Sequence, residues 1–295
     1  MQILPIIAYA SGLAGNHPGC AEGPAVLQQS KVLQRLNTRG WQVLWQEILS
    51  ADVAKMSGLA AFPAVVSLCR QLAKITQQLS AMQQLFCVVG GDHSSAIGTW
   101  SGVYAGITQR YPAHRLGLVW FDAHLDSHTP ETTLSGNIHG MPLACLLGYG
   151  EQRLSKLLGQ ESAIIKAQHV SVIGARSWET AEYQLLERLK VKVYTMAEIQ
   201  RRGLQQVFAE AIARASIGTQ GYGISLDLDV IDPNDVPGVG TPAVDGIELA
   251  ELLQALQYCR GDKRLLGIEI AEFNPSFDKN GITLQAIAQI LLNLL

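Results

Sequence analysis

Charge is what this sequence has least of. Only 16% of its 295 residues are Asp, Glu, Lys or Arg, and the formal net charge is -3. No run of Lys or Arg occurs, which argues against nucleic acid as the main partner, because binding the phosphate backbone needs clustered cations. Paired cysteines are also lacking. The five present, Cys20, Cys69, Cys87, Cys145 and Cys259, are dispersed. An odd, scattered set reads as reduced and cytoplasmic rather than as a disulfide framework. No apolar run approaches membrane-spanning length, so no membrane partner is expected. The N-terminus, Met1 to Ala14, is apolar, but the first Lys or Arg is Lys31. Without a basic segment, and broken by Pro5 and Gly12, it reads as a first strand and not as a signal peptide.

What is there in plenty is core. At 48% hydrophobic residues, the chain suits a compact α/β domain, with part of its surface buried between subunits. Short apolar runs predict strands over Gln2 to Tyr9, Trp41 to Trp45, Leu85 to Val89, Leu116 to Phe121, Val170 to Ile173, Val191 to Tyr194, Tyr222 to Leu228 and Leu265 to Ile270. Helical patterns fall between them. Pro24 opens a helix reaching about Leu36. Val65, Leu68, Leu72, Ile75, Leu79 and Met82 recur every three or four residues. Further helices follow Ser94, run from His139 through Leu147, and span Leu204 to Ala213. Ile247, Leu252 and Leu256 share a helical face, and Leu284, Ile287, Leu291 and Leu294 form a last one. No linker, repeat or low-complexity segment divides the chain. The expectation is one α/β domain of three layers over residues 1–295, with a mainly parallel sheet of about eight strands. Ligands then bind outside the carboxyl ends of the strands.

The polar clusters fall at those ends. Leu118-Val-Trp-Phe-Asp-Ala-His-Leu-Asp126 drives an apolar strand into Asp122, His124 and Asp126, which share a face because side chains alternate along a strand. Three such groups at a buried strand end are unfavourable unless something pairs with them, and a cation does so most simply. The pattern recurs. Asp227 and Asp229 have the same spacing at another strand end, and His93 follows a third. Two imidazoles and four carboxylates are too many ligands for one tetrahedral zinc, and there are too few cysteines for a structural zinc site. Such a donor set suits hard or borderline divalent ions, with Mn²⁺ the best fit. Two ions roughly 3.5–4 Å apart would use all six and supply hydroxide at neutral pH to attack an electrophilic carbon or phosphorus.

The motifs Gly90-Gly-Asp-His-Ser94, Asp122-Ala-His-Leu-Asp126, Ser135-Gly-Asn-Ile-His-Gly-Met-Pro142, Ser225-Leu-Asp-Leu-Asp-Val-Ile-Asp-Pro233, Gly240-Thr-Pro242 and Glu272-Phe-Asn-Pro275 give the whole chain a specific resemblance. It resembles the ureohydrolases, and arginases more than agmatinases or formiminoglutamases. The resemblance implies an eight-stranded parallel α/β fold, a trimer or hexamer, and two Mn²⁺ per chain. Their ligands would be His93, Asp122, His124, Asp126, Asp227 and Asp229, with Asp122 and Asp227 bridging. It places His139, Glu272 and Asp126 in the chemistry, His139 as proton shuttle and Glu272 holding the guanidinium. His139 is expected to open a helix whose dipole lowers its pKa. His128, Thr133, Ser135, Asn137, Glu179 and Thr241 would join Glu272 in binding substrate, while Asp92 and Asp232 would orient ligand histidines or hold loops.

Two positions depart from the family pattern. His128 stands where arginases usually carry Asn for the α-carboxylate, and Glu179 where they carry Asp for the α-amino group. L-arginine cleavage to L-ornithine and urea is the leading expectation. The alternatives are another guanidino substrate, such as agmatine or guanidinobutyrate, and a non-catalytic binding or regulatory relative.

Overall fold

The structure, a computed structural model, describes residues 1–51, 56–113, 115–159 and 163–295. Its centre is one eight-stranded sheet ordered β2-β1-β3-β8-β7-β4-β5-β6. The strands are β1 (Gln2–Ala10), β2 (Trp41–Ser50), β3 (Cys87–Gly90), β4 (Leu116–Phe121), β5 (Ile165–Ala175), β6 (Lys192–Thr195), β7 (Gly221–Asp227) and β8 (Leu265–Ala271). Every pairing is parallel, so all carboxyl ends open on one side. The helices are α1 (Gly23–Ser30), α2 (Phe62–Ala81), α3 (Ser95–Arg110), α4 (Pro142–Leu146), α5 (Gln152–Ser155), α6 (Thr180–Leu189), α7 (Met196–Arg202), α8 (Leu204–Ser216), α9 (Leu249–Leu256) and α10 (Ile282–Leu294).

Strand alternation divides the core in two. In β4, Leu118 and Trp120 pack with α2 and α3, while Val119 and Phe121 pack with α8, α9 and α10. Both faces of the sheet are thus covered, as all-parallel sheets require. On the α3 side β7 and β8 present small or polar residues. A Cβ on Gly223 would lie 2.0 Å from the Trp100 ring, so glycine there admits the indole beneath the sheet.

Several sequence expectations shift. The helix from Pro24 stops at Ser30, because Lys31 turns left-handed at φ 61°, and a 3₁₀ stretch, Val32–Arg39, follows. Ile247 lies outside α9 and bridges Ile231 instead. His139 sits in a 3₁₀ turn, Ile138–Gly140, and α4 begins only at Pro142. α6 and α7 follow β5 and β6 where no helix was expected. Gly58–Ala81 is long and apolar enough by length and composition to cross a membrane, contrary to the sequence reading. Its stripe of Val65, Leu68, Leu72 and Leu79 is buried in the core that α3 shares.

Candidate metal centre and active site

The three ligand-bearing strands, β3, β4 and β7, end on the same edge of the sheet, β4 beside β7 and β8 between β7 and β3. Gly91 makes the first turn after β3, and only glycine fits, since a Cβ there would lie 2.0 Å from the Ser11 carbonyl oxygen. His93 follows, wholly buried. Its Nδ1 faces Asp122 Oδ2 at 3.3 Å, Asp126 Oδ2 at 3.0 Å and Asp227 Oδ2 at 3.1 Å. Yet His93 Nδ1 and Asp126 Oδ2 are buried without a hydrogen-bond partner. Electron-pair donors converging on one point without pairing are the arrangement a cation completes.

A second group lies alongside. His124 Nδ1 is 3.0 Å from Asp229 Oδ2 and 3.6 Å from Asp122 Oδ1. Two clusters therefore have metal-ligand spacing, His93–Asp122–Asp126 and Asp122–His124–Asp229, and Asp122 belongs to both. Asp227 joins the first through His93. These residues fit a pair of divalent cations.

The protonation balance points the same way. Burial opposes charge on His93, but Asp122, Asp126 and Asp227 outweigh it and hold its pKa well above the usual range. Burial raises Asp122 as well, but His124 and His93 overcome it and hold that carboxyl low. Burial and then the Asp122 charge push Asp126 up to about 7, and burial with Asp229 and Asp122 also holds Asp227 well above the usual carboxylate range. The cluster carries more carboxylate than its imidazoles can balance.

Around the ligands, Trp120 Nε1 donates to Asp122 Oδ2 at 2.8 Å and the Trp120 ring stacks on His93 at 4.3 Å. Thr241 donates to Asp229 Oδ2 at 3.2 Å. Arg176 donates to five backbone carbonyls, of Gly174, Asp229, Val230, Ala243 and Val244, and so ties the Thr241 loop to the end of β7. Asp92 and Asp232 hold loops and do not orient histidines. Asp92 accepts from Ser11 Oγ and the Ala14 and Ser94 amides. Asp232 accepts from the amides of Asn234 and Gly246.

Glu272 lies buried beside the cluster. Its Oε1 accepts from the His93 amide at 2.9 Å and lies 3.0 Å from His139 Nδ1, while the Cys20 thiol donates to Oε2 at 3.2 Å. Nothing in the sequence reading had brought Cys20 to the site. Glu272 and Asp126 both hold left-handed backbone, at φ 67° and 46°, strain that clusters where geometry serves a site. The expected lowering of the His139 pKa is overturned. His139 heads no helix, and although burial opposes its charge, Glu272 raises it to about 9.

The remaining expected residues form two local groups. His128 Nε2 lies 3.3 Å from Glu179 Oε2 and 3.4 Å from Glu182 Oε2, with Nδ1 on Thr132 Oγ1. Buried Glu182 escaped the sequence reading. Its spacing from Glu179 at the head of α6 was the available signal, since it accepts the Glu179 amide at 2.9 Å. Thr133, Ser135 and Asn137 are tied within their own turn. Thr133 and Ser135 hydroxyls are 3.4 Å apart, and they accept the Gly136 and Asn137 amides.

Known proteins resemble this chain over its length. The Arginase family profile matches residues 6–295. An arginase of Bacillus caldovelox is 35% identical over 291 residues, covering 96% of this chain and 94% of the relative. Its structure at pH 5.6 superposes with a TM-score of 0.91 at 34% identity, over 100% of this chain and 98% of that one. The Entamoeba histolytica arginase, solved with L-ornithine, gives 0.90 at 30% identity, over 100% and 99%. The sequence motifs, the all-parallel sheet and the polar cluster at its carboxyl edge therefore have one common explanation: the chain belongs to the arginase family and is a ureohydrolase.

Proposed function

We propose that the chain hydrolyses L-arginine to L-ornithine and urea with two Mn²⁺ ions held by His93, Asp122, Asp126, Asp227, His124 and Asp229. The observation that carries this is the pair of ligand clusters sharing Asp122 beside Glu272 and His139. Four carboxylates carry four negative charges, which two divalent cations balance. When bound, such ions would acidify water and so supply a nucleophile at neutral pH. Glu272 receives the guanidinium through a charge-assisted pair, with its carboxylate already aimed by the His93 amide and the Cys20 thiol. His139 carries a proton to the departing amine nitrogen. A homo-oligomer, trimer or hexamer, in a reduced cytoplasmic setting belongs to the same reading. The five cysteines are free and buried.

A second reading, a ureohydrolase of another guanidino compound, is favoured by one observation. His128 sits against Glu179 and Glu182, so groups expected to receive the two charged ends of an amino acid are partnered with each other. The deciding measurement is kcat/KM for urea release from L-arginine, agmatine, 4-guanidinobutyrate and guanidinopropionate side by side. L-arginine should lead. A tenfold or greater advantage for any other transfers the function to that substrate.

A further inference from the structure

At the opposite edge of the sheet from the ligand cluster, the strands begin around a cavity of about 860 Å³. Gln2, Trp41 and Leu265, the first residues of β1, β2 and β8, line it. Its floor is apolar, made by Trp41, Leu85, Ile107, Leu265 and Leu294. Its rim is cationic. Arg39, Arg110, Arg260 and Lys263 all border it, and all are exposed.

Nothing anionic in the described structure answers these charges. The one carboxylate side chain among the described lining residues is Asp262, and it is already engaged. Its oxygens accept from Arg264 at 3.0 and 2.8 Å and from the Tyr222 hydroxyl at 3.1 Å. The ion pairs among the described residues include none of the four rim cations. Arg260 rests on the carbonyls of Leu292 and Asn293, which orient a guanidinium without neutralising it. A purely structural account reaches part of the rim. Arg39 and Arg110 stand in the last turns of a 3₁₀ stretch and of α3, where a cation offsets the helix dipole. It does not explain Lys263, nor why four cations from separate connections meet over one apolar floor.

We propose that this cavity is a second ligand site, for a small amphipathic anion with a carboxylate or phosphate head on an apolar body. Its volume falls in the range of small-molecule sites, roughly 300–1,000 Å³. The head would meet guanidinium and ammonium groups in charge-assisted pairs, and the body would cover Trp41 and Leu265. The rim repels a guanidino group, so the ligand differs in class from the substrate. The site stands independently of the metal centre and its chemistry.

The test uses the untagged full chain with Mn²⁺ present, because Met1 and Leu295 also border the cavity. Tryptophan is replaced by 5-fluorotryptophan, and the Trp41 signal is assigned from Trp41→Phe. Octanoate or octyl phosphate should move the Trp41 ¹⁹F resonance saturably while Trp120, beside the metal ligands, stays still. The tighter of the two identifies the head. Octylammonium, with the same body and the opposite charge, should leave Trp41 unmoved. Combining Arg39→Glu with Lys263→Glu should weaken octanoate binding by roughly tenfold or more through lost charge-assisted contacts. Both side chains are exposed, so Tm should stay at the wild-type value. Arg39→Gln and Lys263→Gln, as single changes, keep the charge test open if the double reversal lowers Tm. A Trp41 signal indifferent to both anions, an equal response to octylammonium, or undiminished affinity in the charge variants overturns the site. A shift confined to Trp120 puts the anion at the metals and overturns it as well.

Discussion

At the scale of single residues, function turns on groups whose partners are other protein side chains. His139 and Glu272 are one such pair. If His139 moves protons, His139→Asn should lower kcat by roughly 10²–10⁴-fold with metal content intact. Near-normal turnover removes it from the chemistry. The pair also makes metal-free stability depend on pH. The folded-state pKa of His139 is raised from 6.5 to about 9, burial opposing and Glu272 driving the shift. Its stabilisation is therefore fully present below 6.5 and disappears as pH rises through about 9. Chelated wild type should lose stability over that window in urea denaturation, and His139→Asn should lose less. Parallel curves for the two proteins would show that the pair contributes nothing. At the head of α6, His128→Asn should release Glu179 and Glu182, and so change KM for L-arginine more than kcat, because this region is remote from the reacting carbon. A drop in kcat with unchanged KM would assign His128 to the chemistry instead.

At the scale of elements, α2 and α3 form the tightest helix pair beneath the site. Gly98, Gly102 and Gly106 make a stripe four residues apart along α3. A Cβ on Gly102 would lie 2.0 Å from Thr76 Oγ1 and 2.2 Å from the Ala73 carbonyl oxygen, and one on Gly106 2.6 Å from that of Gln77. Close approach carries Ser95, Thr99 and Trp100 under the sheet to Glu269. Gly102→Ala should push the helices apart and cost about 1–3 kcal/mol through overpacking. The midpoint of denaturant unfolding measures this. A midpoint equal to wild type would mean that the backbones separate freely and that the stripe is not holding α3 in place.

At the scale of the whole molecule, two ions would lock the ends of three strands, β3, β4 and β7, together. Adding Mn²⁺ to chelated protein should raise Tm with concentration and stabilise the fold by about 2.7 kcal/mol for each site at one hundred times its Kd. The gain should shrink as pH falls, because ligands must be deprotonated to bind. Elemental analysis of the active form should give about two Mn²⁺ per chain. One tightly held zinc with no manganese requirement would overturn the binuclear arrangement.

The sequence by itself determined which polar residues stand at the carboxyl ends of the strands. Two-residue spacing singled out Asp122, His124 and Asp126, and Asp227 and Asp229, but β4 ends at Phe121 and Leu228–Val230 is a 3₁₀ turn, so the turns after the strands, and not strand alternation, bring these side chains together. The apolar run Leu116–Phe121 equally set β4. Only tertiary structure decided that β7 and β8 lie between β3 and β4, since strand order depends on crossovers that no local periodicity records. It also decided the pKa of His139, which followed from Glu272, 133 residues away, rather than from the expected helix dipole. The capping of α6 by Glu182 was legible in principle, but no helix was expected there because its short apolar pattern is interrupted by charge. Glu269 was hidden most completely. In sequence it is one polar residue inside an apolar strand, and its hydrogen bonds exist only where Ser95, Thr99, Trp100 and Ser225 from two other elements converge on it.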